Sequence, residues 1–175
     1  MNTQQNTITK THVNIQELTL VAMFIAITFV ATAFINVRLP IAANGGLIHL
    51  GNVPVFIAAA ILGKRAGAIA GAFGMALFDV TSGWVSWAPF TFVVVGCIGY
   101  AFGLLTEKKK TIPWLVAAVI VAGLIKVVGY YIAEVVLYGN LYQPVTSIPG
   151  NIVQIAVAGV IAIPIIFSLR KILKK

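Results

Sequence analysis

The chain has 175 residues, 60% hydrophobic and 9% charged, with a mean hydropathy of +1.01. A soluble domain carries about 25% charged residues to face water, so this composition excludes a soluble enzyme and describes a single domain surrounded by lipid. The net charge of +8 falls in short clusters between apolar runs rather than on a stripe interleaved with aromatics, which excludes a nucleic-acid partner.

A helix rises 1.5 Å per residue, so about 20 apolar residues cross the hydrocarbon core. Residues 1–14 are polar with one basic residue, Lys10, and read as a cytoplasmic tail. The first apolar run covers residues 17–36. Within it Ala31-Thr32-Ala33 resembles a signal-peptidase site, but the run exceeds the about 7–15 residues of a signal core and reads as a retained helix. Ala22 and Ala26 form a small-residue pair on this helix. A loop rich in breakers follows, from Arg38-Leu39-Pro40 to Asn44-Gly45-Gly46. Residues 49–62 form a shorter run, predicted to be tilted or partly re-entrant. Residues 66–81 make a third span, with Gly67, Gly71 and Gly74 as a packing seam. Residues 87–105, 112–138 and 148–169 complete six spans, and Pro54 and Pro164 fall inside them. The single cysteine, Cys97, cannot form an internal disulfide and reads as a small buried hydrophobe.

The expected fold is an all-α integral membrane protein of six transmembrane helices. The membrane domain covers 15–170 and a basic tail 171–175. Even-numbered crossing puts both termini on one side, and basic residues mark the cytoplasmic side. With the N-terminus inside, Lys10, Lys64, Arg65, Lys108, Lys109, Lys110, Arg170, Lys171, Lys174 and Lys175 are internal, ten of the twelve basic residues. Both termini are therefore expected in the cytoplasm.

This orientation sorts the polar residues by depth. Asp79, Trp84, Trp87, Asn151 and Gln154 fall near outer helix ends, joined by Asn44 and His49 from the first loop and its flank. Lys126 falls near the middle of its span, with Tyr130 and Glu134 further out. The inner halves are nearly all Ala, Val, Ile, Leu and Gly, which describes a cavity open outward and closed below. Intramembrane charge costs about 2.5–3.5 kcal/mol on insertion scales and marks a site or a pair. Lys126, Tyr130 and Glu134 are spaced i, i+4, i+8 and drift by about 80° over two turns. They form a donor, a stacking ring and an acceptor on one wall, or else Lys126 and Glu134 pair with other spans to fix packing. Asn151 and Gln154 present amides from a facing wall, or hydrogen-bond between helices. Asp79 contacts a ligand or caps its helix; His49 is a loop ligand or structural; Trp84 belongs to the aromatic belt, and Trp87 to the belt or the site.

Gly63-Lys64-Arg65 lacks the spacing and the Ser or Thr of a phosphate loop. No H-E-x-x-H and no Ser, His and Asp at common depth are present, so no catalytic residue, metal ligand or cofactor is expected.

The segments Gly63-Lys64-Arg65-Ala66-Gly67-Ala68, Ala76-Leu77-Phe78-Asp79-Val80-Thr81-Ser82-Gly83 and Trp87-Ala88-Pro89-Phe90-Thr91 resemble the substrate-binding S component of energy-coupling factor (ECF) vitamin transporters. So do Lys126-Val127-Val128-Gly129-Tyr130 with Glu134, and Pro149-Gly150-Asn151-Ile152-Val153-Gln154. The resemblance runs from the first span to the last. It implies a cell-membrane subunit that captures a vitamin from outside and docks on a transmembrane coupling subunit driven by two cytoplasmic ATPases. In that scheme Ala22 and Ala26 pack on the coupling subunit, the first outer loop lids the pocket, and spans four to six line it. Among family members the chain most resembles those assigned to hydroxymethylpyrimidine or pyridoxine, with riboflavin members sharing part of the pattern. Glu134 would then bind an aminopyrimidine edge, with Tyr130 or Trp87 stacking on the ring. The alternative is a stand-alone ion-coupled transporter with Asp79, Lys126 and Glu134 as a relay. Its mark would be ionisable residues continuing inward.

Overall fold

The computed structural model describes residues 15–38, 47–109 and 111–173. Among these residues six α-helices run in chain order: α1 Ile15–Phe34, α2 Asn52–Ile61, α3 Lys64–Thr81, α4 Ala88–Lys108, α5 Ile112–Tyr138 and α6 Ile148–Ile172. Two short strands, β1 Asn36–Arg38 and β2 Leu47–His49, pair antiparallel between α1 and α2. A 3₁₀ turn, Gln143–Ser147, leads into α6.

Helix length qualifies the expected six spans. The helices α1, α4, α5 and α6 are long and apolar enough to cross a membrane. At 10 residues α2 is about 15 Å long, half the hydrocarbon thickness. The 18 residues of α3 cover about 27 Å, with Lys64 and Arg65 at one end and Asp79 near the other. Gly63, at φ 104°, turns the chain back between α2 and α3, a backbone conformation that a Cβ disfavours. Pro54 lies in the first turn of α2, where its missing N–H leaves no helical bond unmade, whereas Pro164 is interior to α6.

In lipid, helices associate through close packing rather than through apolar burial from water. The glycine stripe of α3 faces three helices rather than one: Gly67 abuts Ala59 of α2, Gly71 abuts Val95 of α4, and Gly74 abuts Thr28 of α1. A Cβ on Gly71 would sit 2.8 Å from Val95 Cγ1, and one on Gly74 would sit 2.6 Å from Thr28 Cβ. Overpacking of this kind costs about 1–3 kcal/mol. α3 is thus the hub, while α5 packs on α4 and α6. The main core centres on Phe56 and Phe102, whose rings stack at 4.3 Å and 9°, and extends over Ile98, Leu115, Ala118 and Ile166.

Apolar side chains also cover the outside, among them Met23, Ile27, Ile120, Leu124, Val128 and Val160, as a lipid-facing surface requires. Cys97 is exposed on α4, not buried as expected, because an apolar neighbourhood in a membrane helix does not distinguish a core face from a lipid face. Arg170 corrects the sequence reading in the opposite sense. Counted there only among the internal basic residues, it is buried in α6, where Nη2 donates to the carbonyls of Ala60 at 2.9 Å and Thr106 at 3.0 Å. Those carbonyls lie at the C-terminal ends of α2 and α4, which lack helical donors of their own. Nearby, Glu107 accepts from the Lys64 backbone N–H at 3.0 Å and from its Nζ at 3.1 Å, capping the start of α3.

Candidate functional site

At the other end of the bundle, five helices and the hairpin surround a cavity of about 580 Å3, counted with its open mouth. α3 contributes Met75, Phe78 and Asp79, and its connection to α4 contributes Trp84 and Trp87. α4 adds Thr91, α5 adds Lys126 and Tyr130, and α6 adds Asn151 and Gln154. Thr32 of α1 and His49 of β2 complete the lining.

The hairpin is anchored on both sides of this cavity. Asn36 Nδ2 donates to the Thr32 and Ala33 carbonyls, at 3.0 and 2.6 Å, closing the last turn of α1. His49 Nδ1 accepts the Gly51 N–H at 3.2 Å, which in a neutral imidazole places the ring proton on Nε2. The His49 carbonyl accepts from Gln154 Nε2 at 3.3 Å, tying β2 to α6. Gly51 has no room for a side chain, since a Cβ would collide with Thr32 Oγ1 and Met75.

The charged centre is more restrained than a contact ion pair. Lys126 is 1% exposed, and its Nζ lies 4.6 Å from the centre of the Tyr130 ring, a cation–π contact. It shares the cavity with Asp79, yet among the described residues the two form no ion pair within contact distance. Tyr130 Oη donates to Thr91 Oγ1 at 3.3 Å, and Thr91 lines the cavity with Asp79. One carboxylate oxygen, Asp79 Oδ2, is buried with no hydrogen-bond partner among the described residues. An unpaired buried acceptor costs about 1–3 kcal/mol, so the Asp79 carboxyl, on the cavity wall, keeps hydrogen-bonding capacity that the protein does not use. Aromatic rings share the lining: Trp87 lies 6.2 Å from Tyr130 and 6.5 Å from Trp84, centroid to centroid, and outside the cavity it also meets Tyr138 at 6.1 Å.

Of the nine binding residues expected from sequence, His49, Asp79, Trp87, Lys126, Tyr130, Asn151 and Gln154 line this cavity. Asn44 lies outside the described residues. Glu134 is fully buried but does not line the cavity; its Oε2 accepts from Ser147 Oγ at 3.0 Å, joining α5 to the 3₁₀ turn. The 80° drift over eight residues turns Glu134 from the face that presents Lys126 toward the start of α6. The structure adds Thr32, Met75, Phe78, Trp84 and Thr91. Met, Phe and Thr are ordinary lipid-span residues that carried no signal, and Trp84 had an adequate reading as an interface anchor. Ala22 and Ala26 are exposed on α1, away from its buried Thr28 and Thr32. Among the described residues there is no cluster of three metal-ligating side chains.

Comparison with known proteins follows this geometry. The family described as ECF-type riboflavin transporter, S component, matches residues 12–171. The thiamine precursor transporter HmpT of Lactococcus lactis subsp. cremoris is 34% identical over 149 residues, covering 85% of this chain and 84% of that protein. An uncharacterised protein of Pyrococcus woesei is 35% identical over 125 residues, covering 71% of this chain and 82% of its own length. A solved S component of a bacterial ECF transporter superposes with a TM-score of 0.69 at 24% identity, covering 91% of this chain and 98% of that structure, which establishes a shared fold.

Proposed function

The chain belongs to the ECF-type S component family, a multi-pass membrane subunit that binds a transport substrate, and from this premise we propose that it captures hydroxymethylpyrimidine from outside the cell for an ATP-driven importer. The observation that carries the substrate is that Asp79, whose carboxyl keeps an unused acceptor, and Lys126 line one cavity together with the Trp87 and Tyr130 rings. A 4-aminopyrimidine brings an amino donor for the carboxylate, and its ring nitrogens are acceptors for the ammonium. Trp87 and Tyr130 suit its π faces, and Asn151 suits its hydroxymethyl group. A flavin imide sets its N–H between two carbonyls, so a carboxylate approaching that edge meets two repelling oxygens. Pyridoxine, with hydroxyl donors around a pyridine, is the nearer competitor. The thiamine precursor transporter at 34% identity supports the same choice.

Membership of the family supports assembly with an ECF module. In this reading ATP hydrolysis belongs to two partner ATPases, which the lack of a phosphate loop in this sequence supports, and the exposed Ala22 and Ala26 suit close approach of a transmembrane coupling subunit. The distribution of Lys and Arg supports cytoplasmic termini, with 1–14 and 171–175 as tails and the pocket facing out.

The test is mass spectrometry of the small molecule retained through mild detergent purification, followed by titration calorimetry with hydroxymethylpyrimidine, pyridoxine and riboflavin. Binding of hydroxymethylpyrimidine above the other two is expected, and preference for riboflavin would overturn the substrate. Accumulation by the purified chain in liposomes under an ion gradient would replace the ATP-driven scheme with a stand-alone transporter.

A further inference from the structure

A second recess adjoins the cavity, lined by Gly83, Trp84, Ser86, Trp87, Leu137 and Tyr138. Trp84 and Trp87 line both spaces, so the aromatic connection between α3 and α4 is the partition they share. Trp87 is the pivot of that partition. Toward the recess its ring contacts Trp84 and Tyr138 edge-on, at 72° and 62°; toward the cavity it leans on Tyr130 at 35°. The inner space carries the ionisable and amide side chains of Asp79, Lys126, Asn151 and Gln154, whereas the recess has no charged or amide side chain in its lining, its side-chain polarity being the Ser86 and Tyr138 hydroxyls and the indole N–H groups. Tyr138 is 39% exposed, at the C-terminal end of α5. The partition itself turns on Gly83, at φ 85°, where a Cβ would have no atom within 4 Å, so space around that turn is open.

We propose that this recess is a separate docking subsite for the planar heteroaromatic substrate, occupied on the way into the cavity, with Tyr138 and Trp84 as its stacking surfaces. The inference rests on the capture reading above. Flat rings shed water on aromatic surface with little dependence on their hydrogen-bonding edges. A subsite of this chemistry therefore accepts the ring first, and the inner cavity then reads its donors and acceptors. A contact made only in transit changes the rates of binding and release together and leaves the equilibrium alone.

Tyr138 is the residue to test because it lines the recess and not the cavity. The experiment is stopped-flow tryptophan fluorescence on the full detergent-purified chain, with hydroxymethylpyrimidine, pyridoxine and riboflavin as probes. For the ring that binds, Tyr138→Ala should slow association and dissociation alike, by about 5- to 10-fold, with Kd held within about twofold. Tyr138→Phe, which keeps the ring, should restore both rates, and Ser86→Trp, which fills the recess, should slow both. Unchanged rates in Tyr138→Ala and Ser86→Trp would overturn the subsite while leaving capture intact. A weaker Kd through faster release, with association unmoved, would assign Tyr138 to the main cavity and overturn it equally. A wild-type chain that binds none of the three rings would sink the capture reading and this inference with it.

Discussion

The two ends of the bundle differ in what lies beside their buried polar groups. At the end where α2 and α4 terminate, Arg170 Nη2 is used on the carbonyls of Ala60 and Thr106 and Glu107 on Lys64, while Arg170 Nη1 is buried outside the linings of the cavity and the recess, with no partner among the described residues. At the other end, Asp79, Lys126 and Asn151 surround space, and Asp79 Oδ2 likewise has no partner among the described residues. Both ends bury charge, so burial alone does not mark a site. Hydrogen-bonding capacity left over beside a cavity does. Glu134 makes the same point within the pocket end, since its carboxylate already accepts from Ser147.

The largest expected effect breaks transport without touching either end. Ala22→Leu with Ala26→Leu puts bulk on the exposed face of α1, where close helix approach requires small side chains. Uptake into cells should be lost while calorimetry in detergent gives the parental Kd; uptake at normal expression would show that this face is not the docking surface.

At the pocket end, Asp79→Asn keeps the shape and removes the charged acceptor. A hydrogen bond to a charged group is worth about 1.5–3 kcal/mol, so affinity should fall by about 10- to 150-fold. Calorimetry with hydroxymethylpyrimidine measures this, and an unchanged Kd would make Asp79 a structural residue.

Arg170→Met sharpens the contrast from the other end. It removes two charge-assisted hydrogen bonds from buried carbonyls, a loss of about 3 kcal/mol or more in stability. The melting temperature in detergent should fall while the ligand affinity of the folded fraction stays put. Loss of affinity at unchanged stability would deny the separation of the two ends.

The smallest effect belongs to Glu134→Gln. The amide oxygen of Gln still accepts from Ser147, so affinity should move by only about twofold, against the 10- to 150-fold expected for Asp79→Asn. A larger loss measured by calorimetry would return Glu134 to direct ligand contact.

The sequence by itself determined the solvent of this protein, because 9% charged residues cannot coat a water-exposed surface. It also determined most of the pocket roster, because a polar residue at membrane depth is costly enough to stand out: Asp79, Lys126, Asn151 and Gln154 were all legible on that ground. The stripe of Gly67, Gly71 and Gly74 was legible as packing, though not that it serves three neighbours. Only the tertiary structure decided which charges were already satisfied. It assigned Glu134 to Ser147, Arg170 to two helix ends, and Asp79 to the cavity. It alone exposed Cys97 and brought Thr32, Met75 and Phe78 to the site. The physical reason is the lipid. In water, an apolar face declares the core; in a bilayer, the outer face is as apolar as the inner one, so periodicity cannot say which neighbour a side chain meets. Nor can it rank polar residues at equal depth, since what separates a ligand from a fastener is the presence of a partner across the helix interface, which depends on distances between segments far apart in the chain.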